Sequence, residues 1–251
     1  MKITPAQPHR SRRGFLATAL SGTLGMAALT ACGSDDRPAT RGSALTPLQA
    51  AVAERPVANG NDALQRLTEG NARFAANQAR HLDEGADRRI AVSSGQHPFA
   101  TVLGCVDSRV PVELVFDRGL GDLVVVRSAG EALDHSVIGS LEFGVAELGT
   151  PLLMVLGHQR CGAVDATIKS VDARMSADHG DIDFLVDAIT PAVQEVAGRP
   201  GDRLTNAIHA NVAHVLTELR KSPVLGPLEK AGKVKLVGAY YELDTGKVVI
   251  R

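Results

Sequence analysis

Two short segments carry most of the chemistry this chain can do: Cys105-Val106-Asp107-Ser108-Arg109 and, about fifty residues later, His158-Gln159-Arg160-Cys161. Thiolate, imidazole and carboxylate are the groups that bind a borderline-soft cation such as Zn2+. Cys105 and Asp107 stand two apart at the end of an apolar run, Phe99 to Val106, and in extended chain residues i and i+2 point to one side. His158 and Cys161 follow a second apolar run, Pro151 to Gly157, and share a face if a helix begins there. Two thiolates and one imidazole leave a fourth tetrahedral position for Asp107 or solvent. A structural zinc is closed by four Cys or His ligands, so this donor set is that of a catalytic zinc with one exchangeable position. Arg109, two residues beyond Asp107, can grip that carboxylate through two parallel hydrogen bonds and hold it off the metal. Asp107 then serves as acceptor for the attacking hydroxide.

With these residues at this spacing, the chain resembles the β-class carbonic anhydrases. The likeness runs from about Asn61 to Arg251 through Phe116-Asp117-Arg118-Gly119-Leu120-Gly121-Asp122, Val126-Arg127-Ser128-Ala129-Gly130, Asn211-Val212, Leu219-Arg220-Lys221-Ser222-Pro223 and Val237-Gly238-Ala239-Tyr240. It implies one Zn2+ per subunit held by Cys105, His158 and Cys161, with Asp107 and Arg109 in catalysis. The reaction implied is reversible hydration of carbon dioxide to bicarbonate and a proton. It also implies a homodimer or higher homo-oligomer, with N-terminal helices packed on a partner subunit and the substrate pocket built across the boundary. Arg118 stands where much of the family carries a glutamine thought to contact substrate, so Arg118 is expected to donate to bicarbonate. Glu131 stands where an asparagine is commoner. Two thiolates donate more charge than imidazoles, so activity is expected to rise toward alkaline pH. With no tryptophan in the chain, the tryptophan-containing inhibitory bicarbonate pocket of some relatives cannot form.

Other readings of the same residues make different predictions. A hydrolase of carbon disulfide or carbonyl sulfide would use the same metal on a like-shaped molecule. A non-catalytic zinc-binding surface lipoprotein would hold metal without hydrating carbon dioxide. A structural zinc would leave Asp107 dispensable, and a Cys105–Cys161 disulfide would leave no metal site.

The start of the chain points to export. Lys2, Arg10, Arg12 and Arg13 precede an uncharged stretch from Gly14 to Ala31 rich in Ala, Leu and Gly, the pattern of a signal peptide over residues 1–31. Ser11-Arg12-Arg13-Gly14-Phe15-Leu16 resembles a twin-arginine signal, and Leu29-Thr30-Ala31-Cys32 a bacterial lipobox in which Cys32 is lipidated and becomes the mature N-terminus. The stretch, broken by Gly22 and Gly25, makes a weak membrane span. The expected location is the outer face of the cytoplasmic membrane, or the periplasm. Of three cysteines, one then serves the lipid and two the metal, leaving none for a structural disulfide. Because the twin-arginine route carries folded proteins, zinc can be loaded before the thiols meet oxidant.

Without residues 1–31 the chain keeps 23 basic and 28 acidic residues over 220 positions, a formal charge of −5. That balance gives no reason to expect nucleic acid, and the length suits one domain. Gly119-x-Gly121 precedes a strand and lacks a third glycine, which excludes a dinucleotide loop, and no Gly-Lys-Ser/Thr phosphate cradle exists. His81, His97, His135, His179, His209 and His214 have no ligand-like spacing.

Residues 32–45 read as a flexible tether and 46–251 as the catalytic domain. Thr46-Pro47 is a helix start, and Leu64, Leu67, Asn71 and Phe74 share one face of the next helix. Strands are predicted at Phe99–Val106, Asp122–Arg127, Pro151–Gly157, Val234–Tyr241 and Lys247–Ile250, with helices at about His135–Leu148 and Leu204–Arg220. Strands alternating with helices give an α/β fold, a mostly parallel central sheet flanked by helices. Ligands of such sheets gather at the carboxyl ends of strands, where both motifs begin.

Overall fold

The computed structural model describes residues 56–173 and 180–251. The expected signal peptide over residues 1–31, Cys32, the expected tether over 32–45, the helix start at Thr46-Pro47 and His179 lie outside them. Among the described residues the strands are β1 (Ala100–Gly104), β2 (Leu123–Arg127), β3 (Leu152–His158), β4 (Lys235–Tyr241) and β5 (Val248–Ile250). They form one sheet in the order β2-β1-β3-β4-β5. The first four are parallel and β5 is antiparallel to β4. The fold is the expected α/β sheet flanked by helices.

Every residue of β1 and β3 is buried, as continuous apolar runs are in a parallel sheet covered on both faces. Alternation sorts their side chains between two layers. Ala100, Val102, Leu152, Met154 and Leu156 face a layer with Ala63 and Leu67 of α1 (Gly60–Ala75) and Val112 and Val115 of α3 (Val112–Val115). Leu103, Leu153 and Val155 face the other, with Leu141 of α4 (His135–Glu142) and Val212, Val215 and Leu219 of α7 (Arg203–Arg220). Four further helices complete the framework among the described residues: α2 (Ala86–Ala91), α5 (Gly162–Ala173), α6 (Asp181–Glu195) and α8 (Leu225–Lys230), the last just before β4. No helix among the described residues is long and apolar enough to cross a membrane.

Helix starts follow local chemistry. Asn59 Oδ1 accepts from the amides of Asn61 and Asp62 at 2.9 and 3.1 Å, opening α1. Asp134 and Asp202 do the same for α4 and α7 through the amides of Val137 and Thr205, each at 2.7 Å, satisfying donors that have no partner within the helix. The helix expected over His135–Leu148 is regular only to Glu142. It then widens to a π turn over Phe143–Glu147, where Gly144 lies so close to Thr101 that a Cβ would meet its Oγ1 at 2.5 Å.

The strands are shorter or shifted at their ends relative to expectation. Strand β1 stops at Gly104, so Cys105 and Asp107 lie past the sheet, and β3 runs one residue further, taking in His158. No helix begins at His158; α5 starts at Gly162, after Cys161.

Asn71, which the helical pattern places on the apolar face of α1, is buried as a clasp. Its Nδ2 donates to the carbonyls of Val115 and Gly246 at 3.1 and 2.8 Å, and its Oδ1 accepts from the Val248 amide at 2.7 Å. One side chain thus ties α1 to the end of α3 and to the β4–β5 hairpin. Leucine has a similar size but would orphan two carbonyls and an amide, each costing about 1–3 kcal/mol when buried. Asn71→Leu is therefore expected to lower unfolding free energy by roughly 3 kcal/mol or more, read by urea denaturation.

Candidate metal centre

The parallel register brings both motifs to one edge of the sheet. Gly104 pairs with Leu156, so Cys105 leaves β1 beside the point where β3 reaches Gly157 and His158. Cys105, His158 and Cys161 each offer one ligand atom, and these atoms lie within 4.8 Å of one another. All three side chains are buried. The two sulfurs are 4.0 Å apart and both cysteines are free. Two sulfurs bound at about 2.3 Å to one tetrahedral ion stand roughly 3.8 Å apart, close to the separation found.

The imidazole gives an independent test of fit. His158 Nδ1 lies 3.0 Å from the Gln159 carbonyl oxygen. A carbonyl can only accept, so Nδ1 carries the proton and Nε2 is left with its lone pair. That Nε2 is buried with no hydrogen-bond partner among the described residues. An orphaned lone pair facing two buried sulfurs is costly in a protein interior and is what a metal ligand looks like before its ion is considered, with the other nitrogen oriented by a backbone carbonyl.

The sulfurs are not equivalent. A hydrogen bond from Cys161, aided by the Gly130 amide and the Asp107 backbone, outweighs burial and pulls the Cys105 thiol down to about 4. Cys161 is pushed far up, first by that same shared hydrogen bond and then by burial. Two buried thiols this close cannot both ionise unless a cation balances the second charge.

Asp107 sits at the rim of this cluster. Its Oδ2 is 3.9 Å from His158 Nε2, while Arg109 holds both carboxylate oxygens: Nε donates to Oδ1 at 3.0 Å and Nη2 to Oδ2 at 2.7 Å. The Arg109 amide also donates to Oδ1 at 2.9 Å, so the carboxylate is turned back on its own chain. These bonds with Arg109 bring the Asp107 carboxyl down to about 2. Depressed in this way, it is ionised and paired at every pH above that value, and the pairing is lost only as pH falls through about 2.

Arg118 is elsewhere. It is buried, with Nη2 donating to the Arg66 carbonyl at 2.7 Å and the guanidinium 5.4 Å from the centre of the Phe99 ring. Phe99 precedes β1 and Cys105 follows it, so within the subunit Arg118 stands about 20 Å along the strand from the cluster. Cys32 lies outside the described residues.

Two supports escaped the sequence reading. Arg127, at the end of β2, donates from Nε to the Cys105 carbonyl at 2.8 Å and from Nη2 to the Asp107 carbonyl at 2.7 Å, clamping the first motif from the neighbouring strand. Asp244, in the β4–β5 turn, takes both Arg160 guanidinium nitrogens at 2.8 and 2.7 Å and Gln159 Nε2 at 3.0 Å. That clasp fixes the second motif, whose Arg160 has φ +54°. An arginine ending a strand beside a motif-bearing strand was a legible signal for the first; nothing in spacing marks Asp244, 84 residues from Arg160.

Comparison with known proteins agrees with this geometry. Residues 100–248 match the family model described as carbonic anhydrase. A carbonic anhydrase of Mycolicibacterium smegmatis is 39% identical over 198 residues, covering 78% of this chain and 95% of that protein. Among solved structures, the β-carbonic anhydrase CcaA superposes with a TM-score of 0.59 at 24% identity, over 74% of this chain and 86% of that one. Tetrameric β-carbonic anhydrases of Sordaria macrospora give 0.58 at 20% identity, over 76% and 96%. A buried Cys-His-Cys cluster at the ends of parallel strands, a family match through both motifs and a shared fold lead to one statement: this chain belongs to the carbonic anhydrase family and has the fold of its β-class members.

Proposed function

We infer that the protein is a β-class carbonic anhydrase, a zinc lyase that hydrates carbon dioxide reversibly to bicarbonate and a proton. The observation that carries this is the unpartnered Nε2 of His158 facing the sulfurs of Cys105 and Cys161. These three side chains would hold the ion. When bound, zinc supplies the Lewis acidity that makes water a nucleophile near neutral pH.

The remaining work belongs to the chain. Asp107, ionised and fixed by Arg109, accepts a hydrogen bond from the attacking oxygen and so aims a lone pair at the carbon of carbon dioxide. Arg109 acts through Asp107 as a positioning residue, keeping its carboxylate turned away from the metal ligands. Burial of the cluster excludes bulk water from the ligand atoms and strengthens each electrostatic contact there.

Stopped-flow hydration of carbon dioxide by the zinc-loaded full-length chain tests this. His158→Ala is expected to lose zinc and fall to the rate of buffer alone, whereas Asp107→Asn keeps zinc and loses roughly 100-fold in kcat/KM. A zinc-loaded parent that leaves carbon dioxide untouched, or that instead releases sulfide from carbonyl sulfide, contradicts the assignment.

We also propose that the chain assembles as a homodimer or larger homo-oligomer. Supporting this, β2 ends the sheet with half-buried Val124, Val125 and Val126, and Phe143 is exposed nearby. An unpaired apolar strand edge is a pairing surface. Sedimentation equilibrium should give at least twice the chain mass, and a monomer at micromolar concentration rules the proposal out.

Export completes the proposal: residues 1–31 act as a twin-arginine signal, Cys32 carries lipid, and residues 32–45 tether the enzyme to the outer face of the cytoplasmic membrane. In a bacterial host, fatty-acid labelling should mark the parent and not Cys32→Ala, and the variant should leave the membrane fraction. Equal labelling of both would remove the anchor.

A further inference from the structure

Between the cluster and α7 lies a buried turn, Ala129–Glu131, that the mechanism above does not use. Gly130 has φ +60° and Glu131 φ +55°, two consecutive residues in the left-handed region that L side chains avoid. Glycine suits the first position, where the left-handed backbone disfavours a side chain and a Cβ would crowd Ala163 and the end of Ile189. From this turn the Gly130 amide donates to the Cys105 sulfur at 3.4 Å.

The turn is held from behind by Asn211 of α7, which is 1% exposed. Its Nδ2 donates to the Gly130 carbonyl at 2.8 Å, and its side chain lies beside the Glu131 carboxyl. Glu131 is 1% exposed, and its Oε1 has no hydrogen-bond partner. Burial, followed by the negative Cys105 sulfur, pushes its carboxyl well above the usual carboxylate range. A strained, buried acid with one loose oxygen is an expensive way to make a plain turn, and strain of this kind collects where a site needs a fixed geometry. The fixed element here is the Gly130 N–H. A donor pointed at a thiolate withdraws electron density from it and sets its orientation, as outer partners of metal ligands do.

We propose that Asn211 and Glu131 are positioning residues for the metal centre: Asn211, hydrogen-bonded to the Gly130 carbonyl and packed beside the buried Glu131, keeps the Gly130 N–H on the Cys105 sulfur and sets how strongly that sulfur donates to the metal. The proposal rests on the zinc reading above. Its chain of contacts is Glu131 to Asn211, Asn211 to the Gly130 carbonyl, and the Gly130 amide to Cys105. Neither residue belongs to the ligand cluster itself.

The full-length chain loaded with cobalt(II) in place of zinc reports on this directly, because its sulfur-to-metal charge-transfer absorption follows thiolate donor strength. Asn211→Leu is expected to move that band to lower energy and to weaken zinc binding about 10-fold in chelator competition. Glu131→Ala should follow it, whereas Glu131→Gln, which keeps an oxygen for Asn211, should hold the parent band. The Glu131 pair decides the matter if Asn211→Leu does not fold. A folded Asn211→Leu or Glu131→Ala with unchanged band and zinc affinity overturns the proposal, as does a Glu131→Gln that behaves like Glu131→Ala. A parent that takes up no cobalt overturns the zinc reading as well, so the two failures are distinguishable.

Discussion

Burying two thiols and an imidazole lone pair together is the constraint on which everything else depends. Cys105, His158 and Cys161 are nearly inaccessible, and no protein donor satisfies the His158 Nε2. Without a cation such a cluster carries an orphaned acceptor and at most one comfortable thiolate. With one, the lone pair is satisfied and the second sulfur can give up its proton. The sheet supplies the rigidity, since parallel strands buried on both faces cannot shift without moving the whole core.

Much of this was legible in the sequence, for physical reasons that can be named. Apolar runs bounded by turn residues located β1, β3 and β4, because strands covered on both faces have no polar alternation to hide them. The helix stripe through Ile208, Val212, Val215 and Leu219 located α7 to within one residue. Cys105, His158 and Cys161 were legible because metal chemistry needs those side chains, and no other such group comes together among the described residues. Asp107 with Arg109 was legible because two residues is the separation at which a guanidinium can fold back on a carboxylate.

What stayed hidden has a common character. Asn71 reads as a blemish on an apolar stripe, and only the folded chain reveals the three backbone groups that need it. Asp244 and Asn211 act across long sequence separations on backbone whose position is not encoded locally. Strand ends were misjudged around the motifs themselves: Cys105 falls beyond β1 and His158 within β3, because hydrogen bonds to Arg127 and to the β4 partner decide where pairing stops. The surroundings of Arg118, expected from the family resemblance to contact substrate, were hidden as well: within the subunit it lies over Phe99 and donates to the Arg66 carbonyl.

The clasp between Arg160 and Asp244 carries a consequence for how the enzyme comes into being. Asp244 braces the loop bearing His158 and Cys161 from 84 residues further along the chain. Helix α7, which backs the same cluster, also follows both motifs. Long-range contacts of this kind form slowly, so the second motif reaches its braced geometry only after β4 and the turn beyond it have been made.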